Sequence, residues 1–391
     1  MFEKRIIDAV LRRITRGGVT IRYWDGQTRT YGPAEPYFTL TVRTPSVVRG
    51  LLRNMMLGFG EAYMDGRIEI DGPLANVGRL LIENQGALEK LPLARATPWF
   101  RSTGRGSRSE HIQHHYDLGN DFYALWLDAS LTYSCAYFRD PNDSLERAQE
   151  QKIAYLLRKL QLREGHRLLD IGSGWGALLI TAAKVYGIHG LGVTLSEEQL
   201  SRSREAARQA GVDNQVTFEL CAFRDLAPRG ERFDRIISVG MFEHVGRRNH
   251  QHYYDAVANM LSEGGISVLH TISSEVEEPT DAWIEKYIFP GGYVPSTREI
   301  VAALPRYDLR IVDYENLRLH YAMTLEEWLR RYEEHREEVT KMFDEQFYRM
   351  WNLWLASSAA AFRYGGYNLS QFVLTKGVNN DLPLTRAAHN F

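Results

Sequence analysis

Cysteine is scarce: the chain of 391 residues has 2, Cys135 and Cys221. That excludes a disulfide framework and points to a reducing compartment. Nowhere do roughly 18 apolar residues run together, so no membrane-spanning helix is expected. The N-terminus lacks an apolar signal core with a small-residue cleavage site, and the expected location is cytoplasmic. A charge surplus is missing too. The formal net charge of −2 argues against a general nucleic-acid binder. What remains is globular composition, 44% hydrophobic and 25% charged, at a length that holds one large or two ordinary domains.

The most informative stretch is His166-Arg-Leu-Leu-Asp-Ile-Gly-Ser-Gly-Trp-Gly176. It reads as a buried strand, Arg167 to Ile171, that turns through glycines into a helix starting near Ala177. Gly172, Gly174 and Gly176 allow positive φ and a close approach of backbone to ligand. The helix N-terminus behind them offers free N–H groups. Asp170, at the end of the strand, can orient the turn or accept from a ligand amine. A tight strand-to-helix turn without a ligand is the plain alternative. The spacing is neither the dinucleotide Gly-x-Gly-x-x-Gly nor a P-loop ending in Gly-Lys-Ser/Thr. Asp-x-Gly-x-Gly-x-Gly resembles motif I of the class I S-adenosylmethionine-dependent methyltransferases, in which the loop serves the methionine part of the cofactor.

Taken in order, the chain opens with an amphipathic helix over Met1 to Ile14, with Phe2, Ile6, Val10 and Ile14 at helical spacing and Gly17-Gly18 after it. Lys4, Arg5, Arg12, Arg13, Arg16, Arg22, Arg29, Arg43, Arg49 and Arg53 make this region basic. Attraction to an anionic membrane surface and an ordinary helix packed on its own domain both fit. Short strands are expected over Thr20 to Tyr23, Thr28 to Tyr31, Tyr37 to Val42 and Arg67 to Ile70, with turn pairs at Asp25-Gly26 and Asp65-Gly66 and a helix over Val47 to Met56. This gives a small α+β domain over residues 1–94. Gly58 to Gly66 mixes glycines and aromatics more densely than a plain turn needs. The Arg-, Gly- and Ser-rich residues 95–110 read as a linker, leaving 111–391 as the second domain.

His111 to Tyr137 is dense in polar and aromatic residues, among them His111, His114, His115, Tyr116, Asp117, Asn120 and Asp121. A metal site is disfavoured because neighbouring His114 and His115 point to different faces of a helix. A self-capped helix and a lid over a cofactor remain. Beyond Leu145 to Leu160, a helix, strands are expected over Ile188 to Leu195, Val216 to Leu220, Phe233 to Met241, Gly265 to Ile272, Tyr307 to Tyr314 and Phe372 to Lys376. Helices over Ser196 to Ala210 and Tyr253 to Leu261 alternate with them, which argues a parallel sheet covered on both faces. Thr324 to Phe362 is a helical insertion rich in aromatics, suited to helix–helix core and to lining a groove for a long apolar substrate.

Several ordered stretches together resemble one family, the bacterial cyclopropane-fatty-acyl-phospholipid synthases with their relatives, the mycolic acid cyclopropane synthases and methyltransferases. They are His114-His-Tyr-Asp-Leu118, Thr132-Tyr-Ser-Cys-Ala-Tyr-Phe138, Leu169 to Gly176, Gly192-Val-Thr-Leu-Ser196, Phe242-Glu-His-Val-Gly246, Leu269-His-Thr-Ile272 and Tyr287-Ile-Phe-Pro-Gly-Gly292. The likeness runs from His111 to Gly377, and Gly58 to Gly66 resembles the N-terminal domain of the phospholipid-type enzymes. It implies an α/β fold: a Rossmann-like methyltransferase domain with a helical insertion, behind a small lipid-associating domain. It also implies that Tyr133, Ser134, Gly172 and Gly174 meet the methionine end of S-adenosylmethionine, joined by Asp170. Thr194 and Gln199 take the ribose part, in place of the acid that generic class I enzymes carry after the second strand. Phe223 stacks on adenine, while Arg224 stands where the mycolic acid group has Glu.

The implied reaction is methyl transfer to the cis double bond of an unsaturated phospholipid acyl chain, then deprotonation and closure to a cyclopropane. An isolated alkene is a poor nucleophile, so the methyl donor must be held close and dry, and aromatic faces can steady the cation. By resemblance the base is a bicarbonate held by the backbones of Cys135 and Ile272 and the side chains of Glu243, His270 and Tyr321. Local capping by Glu243 and His270 at strand ends is the plain alternative. A methyl-branched or methylene product is the rival outcome. The resemblance further implies a homodimer, and the basic N-terminal residues together with an apolar substrate lead us to expect peripheral association with the inner face of the membrane. No metal is expected.

Overall fold

The computed structural model describes residues 2–88 and 118–386, and these fall into two compact units. The expected linker 95–110, and His111, His114, His115, Tyr116 and Asp117, lie outside the described residues.

One unit joins residues 2–88 to Glu278–Pro290 and Leu325–Gly366. Its sheet contains β1 (Val19–Arg22), β2 (Thr28–Tyr31), β3 (Thr39–Val42) and β4 (Ile68–Asp71), in the order β2-β1-β3-β4. β1 and β3 are parallel and the outer pairs antiparallel. The first helix is Phe2–Leu11, shorter than expected. It docks through a polar face: Lys4 bonds to Asp25 and Gln27, and Asp8 accepts from Tyr23, Arg29 and Tyr31. None of its residues is fully buried, and Phe2 is 71% exposed.

The helix expected over Val47 to Met56 is divided. Asn54 is extended and its side chain accepts from the Leu57 N–H at 3.0 Å, so Ser46–Arg53 ends and Met55–Met64 begins there. The glycines of Gly58 to Gly66 are then explained by packing. A Cβ on Gly58 would fall 2.3 Å from the Gly50 carbonyl carbon, and one on Gly60 would fall 2.2 Å from the Trp283 ring. Asp65-Gly66 closes this helix and leads into β4. The aromatic insertion forms the helices Arg318–Glu334, Arg336–Met342 and Glu345–Tyr364, the first of which begins in the other unit. Trp328, Tyr332 and Trp351 are buried, so this part of the insertion is helix–helix core.

The second unit carries β5 (Arg167–Ile171), β6 (His189–Thr194), β7 (Val216–Leu220), β8 (Phe233–Val239), β9 (Leu261–Ser273), β10 (Leu309–Asn316) and β11 (Asn368–Lys376). They form a 7-stranded sheet in the order β10-β11-β9-β8-β5-β6-β7. β5 to β9 are parallel, and β11 runs antiparallel between β9 and β10. Alternate residues of β5 feed opposite faces: Leu168 packs with Leu179, Ile237 and Val268, whereas Leu169 packs with Ile236, Leu269 and Phe372. Apolar burial on both faces is what holds a parallel sheet. After β5 the chain winds outward through β6 and β7, then returns to lay β8 on the other side of β5. The carboxyl ends of β5 and β8 therefore flank the switch in strand order, where open α/β sheets bind ligands.

Candidate active site

Gly172, Gly174 and Gly176 have φ of +84°, +54° and +88°. The N–H groups of Gly172 and Ser173 donate to the Val193 carbonyl at 2.9 and 3.0 Å, pinning the turn to β6. The glycines then differ. A Cβ on Gly172 would meet Met241 at 2.8 Å and one on Gly176 would meet Phe218 at 2.7 Å, but one on Gly174 would meet nothing within 4 Å. The outer two are packing positions; the middle one presents bare backbone to open space, as a ligand-approaching glycine does. Asp170 is buried below this turn. Burial pushes its carboxyl up to about 7, against the pull of the Lys152 ammonium.

At the end of β6, Thr194 Oγ1 donates to Gln199 Oε1 at 2.7 Å and accepts from the Ser196 N–H at 3.2 Å. Ser196 caps the helix Glu197–Gln209 through the Gln199 N–H. Phe223 opens the short helix Phe223–Leu226 and meets Tyr253 edge-on at 5.7 Å. Arg224 is exposed. The described part of the expected lid lies against the glycine turn: Trp175 Nε1 donates to Asn120 Oδ1 at 2.6 Å, and Tyr123 stands 5.3 Å from Trp175 and 5.5 Å from Tyr133.

The Tyr133-to-Phe138 loop is held by residues the sequence reading missed. The Gln149 amide donates to the carbonyls of Thr132 and Ser134 at 3.2 and 2.8 Å, and Lys152 Nζ donates to Ser134 Oγ at 2.9 Å. Burial brings the Lys152 ammonium down to about 8, while the nearby carboxylates of Asp128 and Asp170 hold it up. On the other side, the Ala136 N–H donates to Thr324 Oγ1 at 3.0 Å and the Phe138 N–H to His320 Nδ1 at 3.1 Å. Tyr321 shares that first part of the helix Arg318–Glu334. Cys135 is buried and its thiol donates to the Ala136 carbonyl at 3.1 Å. Burial pushes the thiol well above its ordinary range, so it is no nucleophile. The signal for Lys152 was available: it shares a helix face with Leu145, Ala148 and Leu156, where a lysine facing solvent would be out of place.

Across the switch, the Gly240 N–H donates to the His270 carbonyl at 2.9 Å, tying the end of β8 to β9. Glu243 follows in the short helix Phe242–Val245, one turn past the strand end expected for it. Its Oε1 accepts from the Ile272 N–H at 2.5 Å, while its buried Oε2 has no partner. Burial pushes this carboxyl up to about 7, and the N–H groups of Ile272 and Glu243 with the neighbouring Thr271 hydroxyl pull it back. His270 is 1% exposed. Its Nδ1 lies 2.9 Å from Gln371 Nε2, and its Nε2 is buried without a partner. Burial holds the ring well below the usual histidine range, so it is neutral. Glu243 and Ile272 are thus in direct contact, and His270 shares the strand face of Ile272. Capping alone does not explain two buried polar atoms left over on adjacent elements.

A glycine turn with one open glycine after the first strand, followed by ordered polar groups along the same sheet edge, is the ligand edge of a class I S-adenosylmethionine-dependent methyltransferase. Comparison with known proteins narrows the class. The family model described as mycolic acid cyclopropane synthetase matches residues 104–372, and the chain belongs to that family. A domain of unknown function matches residues 6–90. The chain is 39% identical to the cyclopropane-fatty-acyl-phospholipid synthase of Escherichia coli K12, covering 89% of this chain and 90% of that one. It is 37% identical to a probable fatty acid methyltransferase of Pseudomonas putida, covering 94% of each. The crystal structure of the mycolic acid cyclopropane synthase CmaA1 complexed with SAH and CTAB superimposes with a TM-score of 0.65 at 30% identity, covering 70% of this chain and 99% of that one.

Proposed function

We propose that the protein transfers the methyl group of S-adenosylmethionine to the cis double bond of an unsaturated acyl chain in a membrane phospholipid, and that loss of a proton closes a cyclopropane ring. The observation that carries this reading is the pair of buried, unpartnered atoms, Glu243 Oε2 and His270 Nε2. The residues present fit both small groups the reaction needs. S-adenosylmethionine supplies an electrophilic methyl, and bicarbonate supplies a base that is not a side chain. Asp170, Tyr133, Ser134, Gly172 and Gly174 hold the methionine end, Thr194 and Gln199 the ribose, and Phe223 the adenine. The Cys135 and Ile272 backbones with Glu243, His270 and Tyr321 hold the anion. A carboxyl near 7 carries its proton in about half of the molecules at neutral pH and in more of them below it, and that protonated form of Glu243 can donate to an anion without two negative charges meeting. The buried Phe122, Tyr123 and Trp126, with the half-buried Tyr133 packed on them, keep water from a cation and offer it ring faces.

In this reading residues 1–94 associate with the membrane surface, 95–110 link, and 111–391 catalyse, as a homodimer at the inner face of the membrane. The first helix supports the surface role because it docks by its polar side and leaves Phe2 outward one turn from the exposed Arg5, with Arg12, Arg13 and Arg16 exposed after its end. No helix among the described residues is long and apolar enough to cross a membrane. The relative named a probable fatty acid methyltransferase makes a methyl-branched or methylene product the second reading. Mass spectrometry of lipids from a host expressing the protein decides between them: a gain of one CH2 that resists hydrogenation marks the ring. Enzyme freed of dissolved carbon dioxide should slow and recover when bicarbonate is added. Full-rate ring formation without bicarbonate would overturn the assignment of the base.

A further inference from the structure

Lys159 is fully buried, two turns beyond Lys152 on the helix Leu145–Lys159. Its Nζ donates to Glu315 Oε2 at 2.6 Å and to Gln371 Oε1 at 2.7 Å. Glu315 Oε2 also accepts from the Tyr155 hydroxyl at 2.7 Å, and Asp313 lies 3.9 Å from Nζ. An ammonium has donors and no lone pair, so it selects the oxygen end of the Gln371 amide. That orientation comes from the chemistry of its neighbour, which settles the choice between amide O and N. The amide nitrogen is thereby turned to His270, directly opposite Gln371 in the β9–β11 ladder and 2.9 Å away at Nδ1.

An amide NH2 donates only, so Nδ1 must accept. A neutral imidazole that accepts at Nδ1 carries its proton at Nε2, the atom buried without a partner. We propose that Lys159 and Gln371 are positioning residues that fix His270 as the Nε2–H tautomer, making it a hydrogen-bond donor in the site and barring it from acting as the proton acceptor. The identity of what His270 donates to rests on the anion reading above; the tautomer does not. With its lone pair committed to Gln371, the ring has no basic atom to offer at Nε2. Should bicarbonate prove dispensable, the base is then Glu243 and not His270.

The test needs no variant at first. Protein with 15N-labelled histidine rings, free of added ligands, is examined by long-range 1H–15N correlation, with His270→Asn used only to assign the signals. The expected result is an unprotonated Nδ1 and a protonated Nε2. A protonated Nδ1 in the wild-type protein overturns the proposal, whatever the outcome of the bicarbonate experiment. Gln371→Glu replaces the donor by an acceptor of the same shape and should protonate Nδ1. Gln371→Met removes the donor and should give a mixture of tautomers. In Gln371→Met, kcat should fall about tenfold, the weight of one hydrogen bond made in the transition state, with S-adenosylmethionine affinity within about twofold of wild type. A single unchanged tautomer in a folded Gln371→Met protein would show that another group sets it and would refute the role of Gln371.

Discussion

The two halves of the ligand edge are finished to different degrees. Around Thr194, Ser196 and Gln199 the polar groups close on one another: hydroxyl to amide, backbone N–H to hydroxyl, helix N-terminus to cap. Around Glu243 and His270 each side chain has one atom fixed by the protein and one left over. The first arrangement is a surface complete in itself, against which a ligand can be laid. The second is complete only with a further small polar group. Leaving a buried polar atom unpaired costs about 1–3 kcal/mol, so an idle site would not be expected to retain two. In the proposed function the contrast separates binding, assigned to the closed circuit, from proton handling, assigned to the open one.

The sharpest way to break this contrast is Glu243→Gln. It keeps the shape and the acceptor for the Ile272 N–H but removes the titrating group. Turnover should fall on the order of 100-fold, while S-adenosylmethionine affinity measured by calorimetry stays within about twofold. Equal losses in both would mean that the two halves act as one.

The same variant should reveal the strain stored at the open half. The folded Glu243 carboxyl sits at about 7, against an unfolded value of about 4.3. Between those values the unfolded chain gives up the proton while the folded protein keeps it, so wild-type stability falls as pH rises through the window and levels off above it. Glu243→Gln should therefore gain about 3 kcal/mol on the wild type at pH 8 relative to pH 4, read from denaturant midpoints. Asp170, raised to about 7 by burial, keeps part of the slope in both proteins. A variant whose pH profile matches the wild type would place the Glu243 carboxyl near its ordinary range.

At the closed half, the glycines give a smaller and cleaner effect. The Cβ added by Gly174→Val meets no protein atom within 4 Å, so the variant should weaken S-adenosylmethionine binding at least about tenfold and lower stability chiefly by the cost of a positive φ, about 1–2 kcal/mol. Gly172→Val adds a clash with Met241 and should lose more stability. The smallest effect is expected of Thr194→Val, which opens the circuit at one hydroxyl: about 1 kcal/mol of binding and no change in kcat. A kcat loss from Thr194→Val larger than its binding loss would erase the distinction between the halves.

The parts legible in the sequence are those with a local cause. The glycine turn, the alternation of strands and helices, and the Ser196 cap are each decided within a few residues. The network behind His270 was not legible, because it is made by pairing. Lys152 stands out from its helix face alone, but what Lys159 bonds to becomes visible only when the helix Leu145–Lys159 is seen beside Glu315 and Gln371. Gln371 escaped notice because β11 begins at Asn368, not at Phe372. The polar run Asn368, Ser370 and Gln371 looks unlike a central strand until its partners Asn316, Ser273 and His270 are beside it. The stretch with Gly58 and Gly60 stood out from a plain turn, but its reason was hidden in the same way, since Gly50 and Trp283 reach these glycines only through tertiary packing.

The first unit is stitched from segments far apart in the chain, and this has a consequence for how the protein is made. The helix Met55–Met64 packs on Trp283, and Arg349 satisfies the carbonyls of Tyr63 and Ile68. The helix Ala75–Glu83 lies against Glu345–Tyr364, where Gly78 meets Ala360. Residue 88 leaves the ribosome long before residue 366 is added. At about 5–20 residues per second that delay is roughly 15 to 60 seconds, during which the apolar faces of the early helices lack their permanent cover. A nascent chain arrested before Leu325 should therefore remain protease-sensitive over residues 2–88, and become resistant once Glu345–Tyr364 is added.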